Sequence, residues 1–327
     1  MRLTRLATLG GLLSMSPLLA AAPAMAQSRD WPNRRLRLLV PSAAGGYEVY
    51  ARILAPRLAE LLGQPVVVDN KPGANGIIGM QEVQRSPADG YTFMFAHVGA
   101  ISIGSSIYSN MPLDPVDDLA SISVAVTSPL VWVVTPSLPF KSMPEFIAKA
   151  KAEPGQWRYG LPASGSIPHL VAEDTKIRHK IDMPAVPYRS TPQSLMAVIS
   201  GEVPVTLDSL GASSGHIAGG KLRALAVTST RRVPSLPEVP TLAEAGVPGY
   251  EYIGWTGVAA PAATPAALVE RLNREINRIA TSDEGRRWFQ ATGADAGEQS
   301  PAEFAAFVQA EHAKLGALVR AAGLRAE

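Results

Sequence analysis

No cysteine occurs anywhere in the 327 residues. That excludes disulfides, thiolate metal ligands and a cysteine nucleophile, and it leaves apolar burial to hold the fold together. Aromatic residues are sparse, at 6% of the chain, and no cluster of Lys and Arg is interleaved with them, so the footprint of a nucleic-acid binder is missing. There are five histidines, at 97, 169, 179, 216 and 312. None belongs to a metal-ligand pattern at i,i+3 or i,i+4 spacing, so neither a metal nor another cofactor is expected. Past the N-terminus no apolar run is long enough to span a bilayer. The best, Ile122 to Val134, is broken by Ser123, Thr127, Ser128 and Pro129.

What is present starts with an export signal. Arg2 and Arg5 precede the apolar run Leu6–Ala22, and Ala24-Met25-Ala26 fits a small-x-small cleavage site. Cleavage after Ala26 is expected, with delivery to the periplasm. It removes two arginines and no acid, which takes the formal charge from +2 to zero. The mature chain is long for a single core, so two domains are expected.

Strand-like and helix-like segments alternate throughout, which predicts an α/β fold with mainly parallel strands. Leu38-Leu39-Val40-Pro41 runs through Gly45-Gly46 into a helical pattern from Tyr50 to Leu62, with Tyr50, Leu54, Leu58 and Leu61 on one face. Val66-Val67-Val68 leads through Asn70 to Gly76 into a second helix. Ser142-x-x-Glu145, Thr241-x-x-Glu244 and Ser300-Pro301-x-Glu303 carry capping-box spacing. Helices are also expected from Thr264-Pro265 to about Ala280 and from Ser300 to about Ala322. Two strand-like segments, Ile122–Thr135 and Ile253–Ala260, can carry the chain between lobes. The lobes would then be residues 31–125 plus 255–327, and 126–254.

Two motifs suggest chemistry and fall short of it. Gly73-x-x-Gly76-x-x-Gly79 lacks the Gly-x-Gly opening and the acidic partner of a dinucleotide fingerprint. Gly211-Ala212-Ser213-Ser214-Gly215 matches a nucleophile elbow, with Asp208 upstream and His216 beside it. The elbow needs a strand before the serine and a helix after it, and His216-Ile217-Ala218-Gly219-Gly220 is a poor helix. A secreted serine hydrolase is the alternative function.

Four loops share one character: Gly45-Gly46-Tyr47, Ala74-Asn75-Gly76, Ser164-Gly165-Ser166 and Ser190-Thr191 each follow a strand and precede a helix. Such loops gather at the carboxyl edge of the strands, where ligands bind, and each helix start attracts an anion.

These residues resemble a known family, the extracytoplasmic solute receptors of tripartite tricarboxylate transporters, also called Bug proteins. The likeness runs through nearly the whole mature chain. It is carried by Val40-Pro41-x-Ala-Ala-Gly-Gly, Leu62-Gly63-Gln64-Pro65-Val66-Val67-Val68, Asn70-Lys71-Pro72-Gly73-Ala74-Asn75-Gly76-x-x-Gly79 and Asp89-Gly90-Tyr91-Thr92. Further along it rests on Ser164-Gly165-Ser166-x-x-His169-Leu170, Val186-Pro187-Tyr188, Ala218-Gly219-Gly220-Lys221-Leu222-Arg223-Ala224-Leu225-Ala226-Val227-Thr228, Glu238-Val239-Pro240-Thr241 and Ala260-Pro261-x-x-Thr264-Pro265. The resemblance implies a type II periplasmic binding protein fold, in which two α/β lobes joined by two crossing strands close by hinge motion on a cleft. It implies a small carboxylate or amide as ligand, a membrane permease or sensor as partner, a monomer, and no chemistry of its own.

Gly45, Gly46, Ala74, Asn75 and Gly76 are then expected to line one lobe. Ser164, Gly165, Ser166, Tyr188, Ser190 and Thr191 are expected to line the other, with Tyr47, Glu48, His97, Asp208 and Trp255 selecting the ligand. Tyr47 and Tyr188 would suit a planar or aromatic acid. Two departures stand out. The segment after Gly45-Gly46 is one residue shorter than the family's, with Glu48 in place of its Asp. Arg189-Ser190 stands where the family places Lys-Gly.

Overall fold

The computed structural model describes residues 30–42, 48–108, 111–162, 164–247, 250–291 and 294–324. The export segment 1–26 and the loop residues Gly45, Gly46 and Tyr47 lie outside them. From the N-terminus the chain forms β1 (Leu36–Val40), α1 (Glu48–Leu62), β2 (Val66–Asn70), α2 (Ile77–Gln84) and β3 (Thr92–His97). A π-turn, Gly99–Ile103, and the short α3 (Gly104–Ile107) follow. The long strand β4 (Leu119–Val134) then leads to α4 (Met143–Ala152), β5 (Tyr159–Leu161), α5 (Ile167–His179), β6 (Ala185–Pro187), α6 (Thr191–Ser200), β7 (Val205–Ser209), α7 (Leu210–Ala218) and β8 (Arg223–Val227). The chain ends with β9 (Ile253–Pro261), α8 (Ala266–Thr281), α9 (Asp283–Ala291), β10 (Asp295–Ala296) and α10 (Pro301–Ala321).

The sheet is mixed rather than mainly parallel. β2-β1-β3 pair in parallel, and so do β7-β5-β6. Between these groups β4 and β9 run antiparallel to each other and to their neighbours. Strand β4 changes partner along its length. Leu119–Pro129 pair with β9, whereas Leu130–Val134 lie between β7 and β8. The alternation of strands and helices suggested parallel pairing; it could not show that the connecting segments join the sheet themselves.

Register decides which ends face each other. His97, the last residue of β3, is level with Thr256 of β9, and Thr256 is level with Val126 of β4. Ser209, the last residue of β7, is level with Leu130. The carboxyl ends of the two parallel groups therefore point toward one another, separated along β4 by the rise from Val126 to Leu130, about 13 Å. Thr228 ties the chain together at this level. Its amide donates to Leu130 O (3.0 Å), its hydroxyl accepts from Leu130 N (2.9 Å), and its carbonyl accepts from Tyr252 N (3.2 Å).

Burial follows helical spacing. Tyr50, Leu54 and Leu58 of α1 and Leu268, Leu272 and Ile276 of α8 are buried in one cluster with Phe93 and Phe95. Each fully buried side chain of this size contributes roughly 1.5–3 kcal/mol relative to exposure. Trp255 packs edge-on against Phe304 and Phe307 of α10. The Ser300–Glu303 capping box opens α10 as expected. The Thr241–Glu244 pair makes both reciprocal bonds (2.8 and 3.1 Å) but closes a turn, not a helix, because the chain reverses at Gly246, with φ +92°. Among the described residues no helix is long and apolar enough to cross a membrane.

Candidate functional site

The facing strand ends carry three of the four loops singled out by the sequence, Ala74-Asn75-Gly76, Ser164-Gly165-Ser166 and Ser190-Thr191; the fourth, at Gly45-Gly46-Tyr47, lies outside the described residues. On the β1–β3 edge, Ala74 and Asn75 both adopt positive φ (45° and 51°), and Gly76 follows at 97°. Gly76 has no room for a side chain, since a Cβ there would lie 2.8 Å from Ala100 Cβ and 3.1 Å from Pro41 O. Gly79 is needed for another reason. A Cβ on it would meet Pro41 and Leu39 at 2.8 and 2.9 Å, so it lets α2 lie close on β1. The glycine triplet that imitated a nucleotide fingerprint therefore shapes a turn and a helix–strand contact.

This turn reaches the opposite edge. Asn75 Nδ2 donates to Gly99 O (3.3 Å) and to Gly165 O (3.2 Å), which joins the β2–α2 loop to the β5–α5 loop. Ile107 of α3 stands on the same spot, its Cδ1 3.0 Å from where a Gly165 Cβ would be. Neither Gly99 nor Ile107 was named from the sequence. A glycine just after the strand ending at His97 was a usable signal for the first, whereas nothing marked the second.

On the β5–β7 edge, Ser166 caps α5 by accepting from His169 N (3.4 Å). Gly165 N donates to His169 Nδ1 (3.1 Å), so that ring nitrogen is the unprotonated one, and burial lowers the pKa of His169 in agreement. Ser164 is exposed. Ser190 is the N-cap residue of α6, but its side chain makes no capping bond. Thr191 Oγ1 instead donates to Asp208 Oδ1 (3.3 Å), which also accepts from Ser209 N (2.7 Å) at the start of α7. Asp208 is 3% exposed, and burial raises its carboxyl pKa to about 7.

Several candidates are engaged elsewhere. The Gly76 and Gly165 amides donate internally, to Gly73 O (2.9 Å) and His169. Glu48 is buried at the start of α1 and pairs with Arg52, whose other end donates to Asn70 Oδ1 (3.2 Å). The Tyr188 ring passes over Gly160 and its hydroxyl donates to Glu202 Oε1 (2.8 Å), beyond the C-terminal end of α6. That carries the ring away from the helix start at Ser190. Trp255 lies in the core described above. His97 sits at the strand end, and desolvation drops its pKa to about 4, so the ring is neutral at neutral pH.

The hydrolase motif takes a shape unsuited to catalysis. Residues 210–218 are helical, so His216 to Ala218 continue a short helix against expectation, with Leu210 buried at its start, whereas Gly219-Gly220 lie beyond its end as a turn. Ser213 lies within that helix and is fully buried, not exposed on a sharp turn. Asp208 bonds to Thr191 and Ser209, and no bond links it to His216 among the described residues. No group of three or more potential metal ligands occurs among them either.

Comparison with known proteins agrees with this geometry. Residues 50–324 match the family described as tripartite tricarboxylate transporter family receptor. Protein BugT of Bordetella pertussis is 34% identical over 327 residues, 99% of each chain. Among solved structures, R. palustris Rpa4515 with adipate superposes with a TM-score of 0.86 at 38% identity, covering 90% of this chain and 99% of that one. MatC from Rhodopseudomonas palustris with bound malate gives 0.81 at 26% identity, covering 88% and 100%. The periplasmic binding protein BugD gives 0.83 at 28%, covering 91% and 100%.

Proposed function

The chain belongs to the tripartite tricarboxylate transporter receptor family, and from that premise we propose that it captures a small carboxylate in the periplasm and presents it to a membrane permease or sensor. Residues 31–125 plus 255–327 form one lobe and residues 126–254 the other. Strand β4 carries the chain from one to the other, and the Leu130–Thr228–Tyr252 knot marks the return. The ligand lies between the facing strand ends, near Asn75, Ser164, Ser190 and Asp208.

One observation carries this reading: the Asn75 side chain spans the two edges, bonding Gly99 on one and Gly165 on the other. A side chain that bridges facing loops can do so only while the edges are close, so it is suited to hold a closed state over a ligand. Adipate and malate in two structural neighbours support a carboxylate ligand. The receptor performs no chemistry, a reading supported by the burial of Ser213.

The test is a thermal-shift and calorimetry screen across mono-, di- and hydroxycarboxylates and their amides. A ligand at 100 times its Kd should stabilise the protein by about 2.7 kcal/mol without turnover. Silence across the whole panel would sink the carboxylate reading. Labelling by a fluorophosphonate that disappears in Ser213→Ala would restore the hydrolase.

A further inference from the structure

Asp208 brings a negative charge of its own to the place where a ligand anion was expected. Its Oδ1 receives the Ser209 amide at the start of α7 and the Thr191 hydroxyl at the start of α6. Its Oδ2 is buried and has no hydrogen-bond partner among the described residues. A buried carboxylate oxygen without a donor is costly, so a donor that reaches it gains more than it would at the surface. The positive ends of α6 and α7 already face this carboxylate. A second ionised carboxylate beside it would meet like charge in a poorly solvated site. The opposite edge differs, since its buried acid, Glu48, is paired with Arg52.

We propose that Asp208 Oδ2 is the acceptor for a hydrogen-bond donor on the ligand, so that this receptor takes an asymmetric carboxylate. One end is ionised and lies toward Asn75 and Ser164; the other bears a hydroxyl, an amide N–H or a protonated carboxyl. The proposal rests on the carboxylate-receptor reading above and names its ligand class.

Titration follows from the surroundings. Burial raises the pKa of Asp208, and the bonds from Ser209 and Thr191 lower it. The elements packed on β7 carry other ionisable groups: His169 and the pairs Glu173–Lys176 and Asp174–Arg178 on α5, His179 at its end, Tyr159 on β5 and His216 on α7. None of them contributes to the shift of Asp208, and β4 and α6 carry no ionisable side chain. Above pH 7 Asp208 is ionised and accepts only from a neutral donor. Below it, one proton is available to share with a dicarboxylate.

The experiment compares adipate with its monoamide, and succinate with its monoamide, by calorimetry on the full mature protein from pH 5.5 to 8.5. The monoamides should bind at least tenfold tighter at pH 8. Dicarboxylate affinity should rise about tenfold per unit as pH falls from 8.5 toward 7, with uptake of one proton from the buffer. Asp208→Asn should abolish both the pH dependence and the monoamide preference. Thr191→Val removes a bond that favours the ionised form, and it should move the pH midpoint upward. If Asp208→Asn does not fold, the wild-type profiles and Thr191→Val carry the test. Equal, pH-independent binding of both members of a pair would overturn this proposal and leave the carboxylate receptor standing. Absence of binding by every carboxylate and amide would overturn both.

Discussion

At Gly76 on the β1–β3 edge, α2 starts without a side-chain cap, after two residues held at positive φ, and the loop extends Asn75 across the gap. On the β5–β7 edge Ser166 caps α5, while Asp208 faces the starts of both α6 and α7. One edge is shaped by backbone conformation and the other by side chains. The difference shows how a symmetric-looking pair of glycine and serine loops can differ physically: the first edge is set by backbone geometry and reach, and the second holds a buried carboxyl, which in the proposed site would restrict what can bind. The two titratable groups at the strand ends repeat the contrast. Burial favours the neutral form of both, which lowers the pKa of His97 and raises that of Asp208.

The largest effect should come from breaking the backbone-shaped edge. Gly76→Val places a β-branched residue at φ +97°, in a space where even a Cβ is 2.8 Å from Ala100. A loss of about 4 kcal/mol or more is expected, read from urea unfolding, together with loss of ligand binding. A variant of wild-type stability would show that the turn relaxes freely.

Next are the opposed pH slopes. The folded pKa of Asp208 is raised, so the folded state binds more protons than the unfolded state between about pH 4 and 7, and stability falls as pH rises through that window. The folded pKa of His97 is depressed to about 4, so the unfolded state binds more protons from there up to its ordinary value near 6.5, and stability rises with pH. The slopes oppose each other in one window. Asp208→Asn should remove a penalty on the order of 2–4 kcal/mol at pH 8 and reveal a curve rising with pH. His97→Gln should leave a falling one. Chemical denaturation at half-unit pH steps reads both, and unchanged slopes would refute the burial of these charges.

Asn75→Ala tests the bridge. It leaves the carbonyls of Gly99 and Gly165 without that donor in the closed state, which should weaken ligand binding roughly 5- to 30-fold, corresponding to about 1–2 kcal/mol. Unfolding of the ligand-free protein should change less. Equal losses in both measurements would make the bridge structural only. The smallest effect is expected for Ser166→Ala on the capped edge, about 1 kcal/mol and a fall in Tm of about 1–4 °C.

Much of the scaffold was legible because its signals are local. Helical spacing marked Tyr50, Leu54 and Leu58, and capping chemistry marked the start of α10 at Ser300. The crossing segments were visible as strand-like runs, the first of them in spite of Ser123, Thr127, Ser128 and Pro129. Less of the site could be read. Thr191 and Asp208 are far apart in the chain, and their bond requires β7 to lie beside the start of α6. Tyr188 sits next to a helix start in sequence, yet its ring turns back to Glu202. Gly165 is expected from the sequence to line the second lobe, but its amide is taken by His169 one turn later.

The sequence by itself determined the strands, the helices and their caps, the glycine at position 76 and the family, because these depend on neighbours a few residues apart or on motifs that survive as strings. Tertiary structure alone decided that the two carboxyl edges face each other, that Asn75 reaches Gly165, and that Asp208 holds between two helix starts an oxygen with no hydrogen-bond partner among the described residues. Those facts depend on the register of β4 against β7 and β9, a sum of long-range packing choices that no local window contains.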